Sequence, residues 1–386
     1  MKILVIRFRQ MGDAILATPL LSTLRQNYPD AEIDFVLNER IAPLFEGHPA
    51  LSRIITFSDH ERHSAFTYIR KVWQVVHQTH YDVIIDMRST VNTMLFALFS
   101  LRSRWRIGIR KPYTWGVFNH RIEACEDDES MIDHNLKLVP PSIPPKGGRK
   151  SPIPSIPPKG GRMSPIPSIP PKGERYSSAG QNRLFPPSGG QRGVKGLSLF
   201  ITDQERQDFR QYMAGQGIDF SRPVLLVGVT AKLAHKTWPE DRMTEVLRRL
   251  IEAYPHLQLI FNYAPGKEAE NAQRIHARLL SSAATPSQPL PVFLNIQAKT
   301  PRQLAAMAAN CTAYFGNEGG GRHIVHAMGR PSLVICSPGA SKTTWLPQDT
   351  DVLALGIDAA SYDLITVDRV WLELQSFLNV ILPSYS

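Results

Sequence analysis

The stretch FGNEGGGRHIVHAMGRPSLVICSPGASKTTW, Phe315–Trp345, decides the fold class of this chain. Its apolar start predicts a buried strand, which is followed by a glycine-rich turn and a helix beginning near Gly320. After Gly329–Pro331 come a second apolar strand and a loop of small residues. Glycines let backbone N–H groups approach a ligand, and a helix start adds partial positive charge. The pattern predicts a phosphate or nucleotide diphosphate site, with a simple tight turn as the alternative.

A second informative stretch is MKILVIRFRQMGDAILATPLLSTLRQNYP at the start of the chain. Lys2–Phe8 is an apolar run that fits a central parallel strand. Gly12 and Asp13 then open a predicted helix, whose apolar positions recur at helical spacing. Asp13 therefore lies at the carboxyl end of a strand, which is the edge where doubly wound folds bind ligands. An aspartate that only caps the helix is the alternative.

Predicted strands and helices alternate in two successive series. The first series has strands at Ile3–Phe8, Ile33–Leu37, Arg53–Phe57, Val83–Met87 and Trp105–Ile109, and helices at Asp13–Asn27, His63–Thr79 and Val91–Leu101. The second has strands at Val224–Val229, Gln258–Tyr263, Val292–Ile296, Ala313–Phe315 and Ser332–Cys336, and helices at Glu240–Tyr254, Lys267–Leu280, Pro301–Ala309, Gly320–Met328 and Thr366–Leu382. This order predicts an α/β protein with two Rossmann-like domains, residues 1–139 and 197–386, whose parallel sheets face each other.

The segment 140–196 between them is a basic, proline-rich insert. It holds 10 Lys/Arg and 1 Asp/Glu, whereas residues 1–139 hold 17 and 16, and residues 197–386 hold 17 of each. The net charge of +10 therefore belongs almost entirely to the insert, and it is no evidence of nucleic-acid binding by the domains. SIPPKGGR repeats with a period of 13 residues, a composition that predicts disorder. A polybasic membrane tether and a neutral loop expansion are both open readings.

The third informative stretch is VGVTAKLAHKTWPE, Val227–Glu240. A predicted strand ends at Val229, a loop of small and polar residues follows, and Trp238-Pro239 leads into a helix. Lys236 lies between the strand end and the helix start, where a cation could bind a phosphate. A solvated loop lysine is the alternative.

Together these three stretches resemble glycosyltransferase family 9, the heptosyltransferases of lipopolysaccharide core assembly. ILVIRFRQMGDAILATPLLSTLR is similar to the family's strand–loop–Gly-Asp–helix start, and KTWPE to its Lys-x-Trp-Pro motif. GNEGGGRHIVHAMGRP is similar to Gly-Asn-Asp-Ser-Gly-x-x-His-x-x-x-Ala-x-Gly-x-Pro. The resemblance covers nearly everything outside the insert.

The resemblance implies a GT-B fold, with the acceptor on the N-terminal domain and the nucleotide-sugar on the C-terminal one. It implies an inverting transfer with no cofactor and no bound metal. Asp13 falls on the catalytic base, which takes a proton from the acceptor hydroxyl. Lys236 falls on the lysine that binds the diphosphate. The predicted nucleotide-sugar site consists of Thr230, Lys236, Glu318, Gly319, Gly320, Gly321 and His323, while His326 is read as structural.

The chain departs from the family pattern at two positions. Glu318 stands where the family has Asp, and Gly319 where it has Ser or Thr, so the resemblance leaves the donor sugar open. The implied donor is ADP-heptose, and the implied acceptor is an anionic lipid-linked saccharide of the inner membrane leaflet. Arg104, Arg106 and Arg110 are candidate acceptor contacts, or simply a solvated helix end and edge strand.

Other classes fit less well. The loop after the first strand lacks Gly-x-Gly-x-x-Gly, which argues against a dinucleotide oxidoreductase. Asp349-Thr-Asp351 matches the Asp-x-Asp of metal-dependent transferases but is interpreted as a turn. A nucleotide-sugar epimerase of the same architecture and a catalytically decayed binding protein remain alternatives. Three cysteines without metal-ligand spacing, no signal peptide and no membrane-length apolar run predict a cytoplasmic enzyme with peripheral membrane contact.

Overall fold

The computed structural model describes residues 1–127, 129–141, 196–282, 290–348 and 350–382. Residues 1–139 and 193–386 form one compact unit that contains two parallel sheets of six strands. The repeat segment lies outside the described residues, apart from its first two positions and its last. Its interpretation as a disordered insert, and the domain boundaries placed there, stay predictions.

The first sheet consists of β1 (Lys2–Ile6), β2 (Glu32–Asn38), β3 (Arg53–Phe57), β4 (Val83–Asp86), β5 (Trp105–Ile109) and β6 (His120–Ile122). Its strand order is β3-β2-β1-β4-β5-β6, and every pair is parallel. Its helices are α1 (Met11–Ile15), α2 (Thr18–Asn27), α3 (Asp59–His63), α4 (Ala65–Gln78), α5 (Val91–Leu98) and α6 (Met131–Leu136). The strands β1 and β4 are almost wholly apolar and buried, as expected for the centre of a parallel sheet.

The second sheet repeats the same topology. Its strands are β7 (Val224–Gly228), β8 (Gln258–Phe261), β9 (Val292–Phe293), β10 (Ala313–Asn317), β11 (Ser332–Ile335) and β12 (Ala354–Ile357). Their order is β12-β11-β10-β7-β8-β9, so β7 and β10 occupy the central places that β1 and β4 occupy in the first sheet. Its helices are α7 (Asp203–Gly215), α8 (Glu240–Ala253), α9 (Lys267–Ser282), α10 (Pro301–Ala309), α11 (Gly320–Ala327), α12 (Lys342–Trp345) and α13 (Val367–Ile381).

The predicted α/β architecture is confirmed. The structure adds β6, α3, α6 and α12 to the predicted elements, and it divides one predicted helix in two. The single helix predicted over Asp13–Asn27 is two helices, α1 and α2, because the i→i−4 hydrogen bonds stop after Leu16 and Ala17 N donates instead to the carbonyl of Ala14. Pro19 lacks an N–H and fits only the first turn of a new helix, which is where it lies in α2. The break leaves Asp13 in the first turn of a five-residue helix, directly above the end of β1.

Candidate functional site

The two sheets carry their functional loops at equivalent places. In each sheet the strand order reverses between its two central strands, and ligands of doubly wound folds bind in the crevice at this switch point. The start of α1, which holds Asp13, follows β1, and the loop that holds Arg88 follows β4. In the second sheet, the loop with Lys236 follows β7 and the glycine-rich turn at Gly319 follows β10. All the predicted phosphate-binding residues thus share one switch point.

The two switch points meet where α1 touches α11. A Cβ atom added at Gly12 would lie 2.7 Å from Cδ2 of His323, and one added at Gly320 would lie 2.9 Å from Cε of Met11. Only residues without a side chain allow an approach this close. The contact brings the peptide before Asp13 against the start of α11, so Asp13 and the glycine-rich turn lie at the same junction of the two sheets.

Alanine at Gly12 is therefore expected to disturb the site as well as the fold. It must displace the buried His323 ring or separate α1 from α11, which should cost about 1–3 kcal/mol of unfolding free energy. Turnover should fall by about 10²-fold if the site widens by roughly 1 Å. Gly215→Ala is the control, since nothing lies within 4 Å of its added Cβ. Equal denaturation midpoints for both variants would contradict the tight contact.

Lys236 is held by a buried carboxylate. Its Nζ lies 2.5 Å from Oε1 of Glu318, and Glu318 also accepts hydrogen bonds from Ser337 Oγ at 3.0 Å and Ser337 N at 3.3 Å. Although burial opposes it, the bonds from Lys236 and Ser337 keep the pKa of Glu318 below its usual range. The Lys236 side chain stays 39 % exposed. It can therefore bind an incoming anion while Glu318 fixes its position.

Buried residues on either side anchor this lysine loop. The Trp238 side chain is fully buried, and its Nε1 donates to the carbonyl of Ile365 at 3.0 Å. Asn317, at the end of β10, accepts from Trp238 N at 2.7 Å and donates to the carbonyl of Gly228 at 3.0 Å. These bonds tie the ends of β7 and β10 together. The segments that hold the Lys-x-Trp-Pro and Gly-Asn motifs are therefore joined to each other by hydrogen bonds.

Asp13 pairs with a buried cation. Its Oδ1 lies 3.4 Å from Nη2 of Arg7, whose Nη1 donates to the carbonyl of Met87 at 3.0 Å. Burial lowers the pKa of Arg7, and the neighbouring Asp13 carboxylate opposes that shift. Because the Asp13 side chain is 25 % exposed, its second oxygen remains available to a ligand. Arg7 thus orients a carboxylate that can accept a proton.

The other predicted donor-site residues differ in how far they are exposed. His323 and Thr230 are buried, and neither His323 Nδ1 nor Thr230 Oγ1 has a hydrogen-bond partner among the described residues. Burial, then the charge of Arg322, lowers the pKa of His323 well below its usual value, so the ring is neutral. Gly319 is the exposed residue before α11 and adopts an extended conformation. His326 lies deeper, with Nε2 3.5 Å from Thr350 Oγ1.

An arginine-lined cavity that the sequence patterns did not predict lies at the switch point of the first sheet. The cavity has a volume of about 380 Å³ and lies against Phe8, Arg9, Arg62, Tyr68, Arg88, Thr90, Val91, Asn92, Thr93 and Tyr113. The guanidinium groups of Arg9 and Arg88 have no ion-pair or hydrogen-bond partner in the described part of the chain. Burial, then the charges of Arg9 and Arg7, lowers the pKa of Arg88. We name this cavity the arginine pocket, and its charge suits an anion.

Backbone strain marks the rim of the arginine pocket. The backbone angle φ is 85° at Arg9 and 49° at Ser89, and residues other than glycine rarely adopt such positive values. Asp86 holds the second loop, accepting from Arg88 N at 2.9 Å and Ser89 N at 2.8 Å. Burial raises the pKa of this fully buried carboxyl. Strain of this kind persists only where the surroundings impose it, and it concentrates at ligand sites.

The predicted acceptor arginines lie elsewhere on the first sheet. Arg106 donates to the carbonyls of Leu101, Ser103 and Val117, which makes it a structural residue of β5. Arg110 pairs with Glu123 on the surface at 2.8 Å, and Arg104 is exposed. The sequence signal for the arginine pocket was available, since Arg9 and Arg88 directly follow two predicted central strands.

Comparison with known proteins finds similarity to one family. Residues 193–355 match the model of glycosyltransferase family 9 (heptosyltransferase). Lipopolysaccharide heptosyltransferase 3 of Escherichia coli (strain K12) is 33 % identical over 141 residues, which are 34 % of this chain and 40 % of that protein. The resemblance to family 9 that the sequence predicts is therefore confirmed.

Solved structures share the fold over the full length. The glycosyl transferase family 9 protein from Veillonella parvula DSM 2008 has a TM-score of 0.71 at 14 % identity, covering 98 % of this chain and 97 % of its own. The E. coli ADP-heptose lps heptosyltransferase II has a TM-score of 0.68 at 20 % identity, covering all of both chains. The predicted GT-B fold is confirmed. No described helix is long and apolar enough to cross a bilayer.

Proposed function

We propose that this protein is an inverting glycosyltransferase that moves a heptose from ADP-heptose to an anionic, lipid-linked saccharide of the lipopolysaccharide core. The donor binds at the second sheet and the acceptor at the first. The protein that the chain matches over 141 residues is a lipopolysaccharide heptosyltransferase, and one full-length structural neighbour is named for ADP-heptose. These likenesses support the donor and acceptor classes.

In the proposed transfer reaction, residues of the first sheet and residues of the second sheet have different roles. Asp13 takes the proton from the acceptor hydroxyl while that oxygen forms a bond to the anomeric carbon. The bond from this carbon to the diphosphate oxygen breaks on the opposite side, which inverts the configuration. Lys236 and the backbone N–H groups at Gly319–Gly321 then stabilise the departing ADP. Because these groups carry the leaving charge, the proposal needs no metal at the diphosphate.

One observation carries this proposal: the contact between α1 and α11. Through Gly12 and Gly320, the contact brings the carboxylate loop of the first sheet to the glycine-rich turn of the second. A base and a diphosphate-binding cation must act on opposite sides of one reacting carbon, and this contact lets two separate sheets supply them.

A nucleotide panel tests the donor half of the proposal. ADP should raise the midpoint of thermal unfolding more than UDP, GDP or CDP, because a ligand that binds only the native state stabilises it by mass action. Lys236→Ala should weaken the ADP effect. A larger shift with UDP would contradict the proposed donor, and no shift with any nucleotide would favour a decayed site.

The arginine pocket is the proposed acceptor site, and its loss should affect only the acceptor. Arg88→Gln is expected to raise the acceptor KM by about 10–100-fold, since a hydrogen bond to a charged group contributes about 1.5–3 kcal/mol. ADP binding should not change. Arg110→Gln is the matched control, because it removes an exposed arginine already paired with Glu123. A larger increase of the acceptor KM in Arg110→Gln would mean that the acceptor binds at the predicted Arg104–Arg110 surface instead.

An epimerase is the second candidate, favoured by the shared architecture of two parallel sheets. It would release or rearrange the sugar without an acceptor, and the arginine pocket would then have no role in turnover. Acceptor-independent release of ADP that survives Arg88→Gln would support this alternative.

A further inference from the structure

A second cluster of ionisable side chains lies in the segment that joins β6 to α6. Cys125, Glu129 and His134 each offer one ligand atom, and the three atoms lie within 4.8 Å of one another. The spacing is Cys-x3-Glu-x4-His, so the thiol and carboxylate come from the loop and the imidazole from α6. Thiolate, imidazole and carboxylate are the three donor types that Zn²⁺ accepts in proteins.

Two buried atoms of this cluster face each other at a long distance. Glu129 Oε2 and His134 Nδ1 lie 3.5 Å apart as a buried pair, and neither has another hydrogen-bond partner among the described residues. His134 is only 3 % exposed, and its neighbour Asn135 fixes α6 by donating to the carbonyl of Leu16 at 2.9 Å. Buried polar atoms are nearly always satisfied by well-placed partners, so a buried pair held only at this long distance suits a shared third partner such as an ion.

The two carboxylate oxygens of Glu129 have different neighbours. Lys137 Nζ binds Oε1 of Glu129 at 2.5 Å, so Oε2 faces His134 and remains for a second cation.

We propose that Cys125, Glu129 and His134 form a Zn²⁺ site, with water as the fourth ligand. Bonds of about 2.0–2.3 Å require the three donor atoms to approach to roughly 3.5 Å. The half-exposed Cys125 lies on a loop and can make most of that movement. None of the three ligands is among the predicted diphosphate-binding residues, and the ion has no part in the proposed transfer.

The site has a structural role within this loop. The carbonyl of Asp127, between the first two ligands, accepts a hydrogen bond from Thr344 Oγ1 of α12 at 2.9 Å. The same loop is thus attached to α6 beside the first sheet and to α12 beside the second. A metal that ties Cys125 and Glu129 to His134 would order the loop between these two attachments.

Cobalt titration of the metal-free full-length protein tests the proposal. One equivalent of Co²⁺ should produce a thiolate-to-cobalt charge-transfer band and the visible absorption of a four-coordinate site. Zn²⁺ should displace the cobalt ion, and both absorption features should then disappear. Cys125→Ser should abolish the charge-transfer band and weaken Co²⁺ binding by roughly 100-fold, since even the loss of a residue outside the ligand shell costs about 10–100-fold. Cys311→Ala, a buried cysteine elsewhere, should keep the band.

Thermal unfolding shows whether a variant has lost only the metal site or has misfolded. Without metal, Cys125→Ser should unfold at the wild-type temperature, and added Zn²⁺ should raise that temperature only in wild type and Cys311→Ala. His134→Gln should also lose the cobalt spectrum. Absence of a thiolate band in the wild type, or an unchanged band in Cys125→Ser, would overturn the proposal.

Discussion

Asp13→Asn is expected to reduce turnover by about 10²–10⁴-fold while ADP binding stays at the wild-type level. An amide cannot take the acceptor proton, and the loss of a general base has this magnitude. The amide oxygen still accepts from Arg7, so the pairing seen at 3.4 Å has a substitute and the fold should hold. Steady-state transfer assays and calorimetric ADP titration measure the two effects.

Asp30→Asn is the control for the Asp13 variant. Asp30 is an exposed aspartate in the turn after α2, so its amide should leave transfer and stability unchanged. Transfer that survives in Asp13→Asn would remove Asp13 from its proposed role. A parallel loss of ADP binding would show that the carboxylate acts on the donor side of the site.

Lys236→Met has the second largest expected effect, a reduction of kcat/KM by about 10²–10³-fold. Removal of one group that stabilises developing negative charge has this magnitude. The change also leaves Glu318 with only its Ser337 bonds, and a buried charged group short of a partner should cost about 1–3 kcal/mol of unfolding free energy. Activity and stability therefore fall together in the single variant.

The double variant Lys236→Met/Glu318→Gln separates these two causes. It removes both members of the pair, so most of the lost stability should return. Transfer should remain low, because the cation that binds the diphosphate is still missing. Recovered transfer would mean that Lys236 only neutralises Glu318, and the diphosphate would then rest on the glycine-rich turn.

The sequence predicts the sheets well because their centres are decided by local composition. Continuous apolar runs such as Lys2–Phe8 fit only a strand buried on both faces, and the observed β1 lies within that range. The loops that follow β1, β7 and β10 could therefore be named as candidate sites. The failure in Asp13–Asn27 had a local cause, since Pro19 marks the start of a second helix inside an unbroken apolar pattern.

Contacts between distant residues were beyond the sequence analysis. Glu318 and Lys236 are 82 positions apart, and nothing local indicates that the glutamate pairs with this lysine rather than with a ligand. The arginine pocket joins Arg9, Arg62 and Arg88 only because the strand order places β4 beside β1. The clustered arginines at 102–110 were conspicuous in sequence, yet Arg106 is used to brace the backbone.

The most direct test of the central claim is the product formed from ADP-heptose and a lipid-linked core saccharide by wild type and Asp13→Asn. The account predicts ADP release that depends on the acceptor, a heptosylated product whose anomeric configuration is inverted by NMR, and neither product from the variant. A product with retained configuration, or ADP release of equal rate without acceptor, would contradict it.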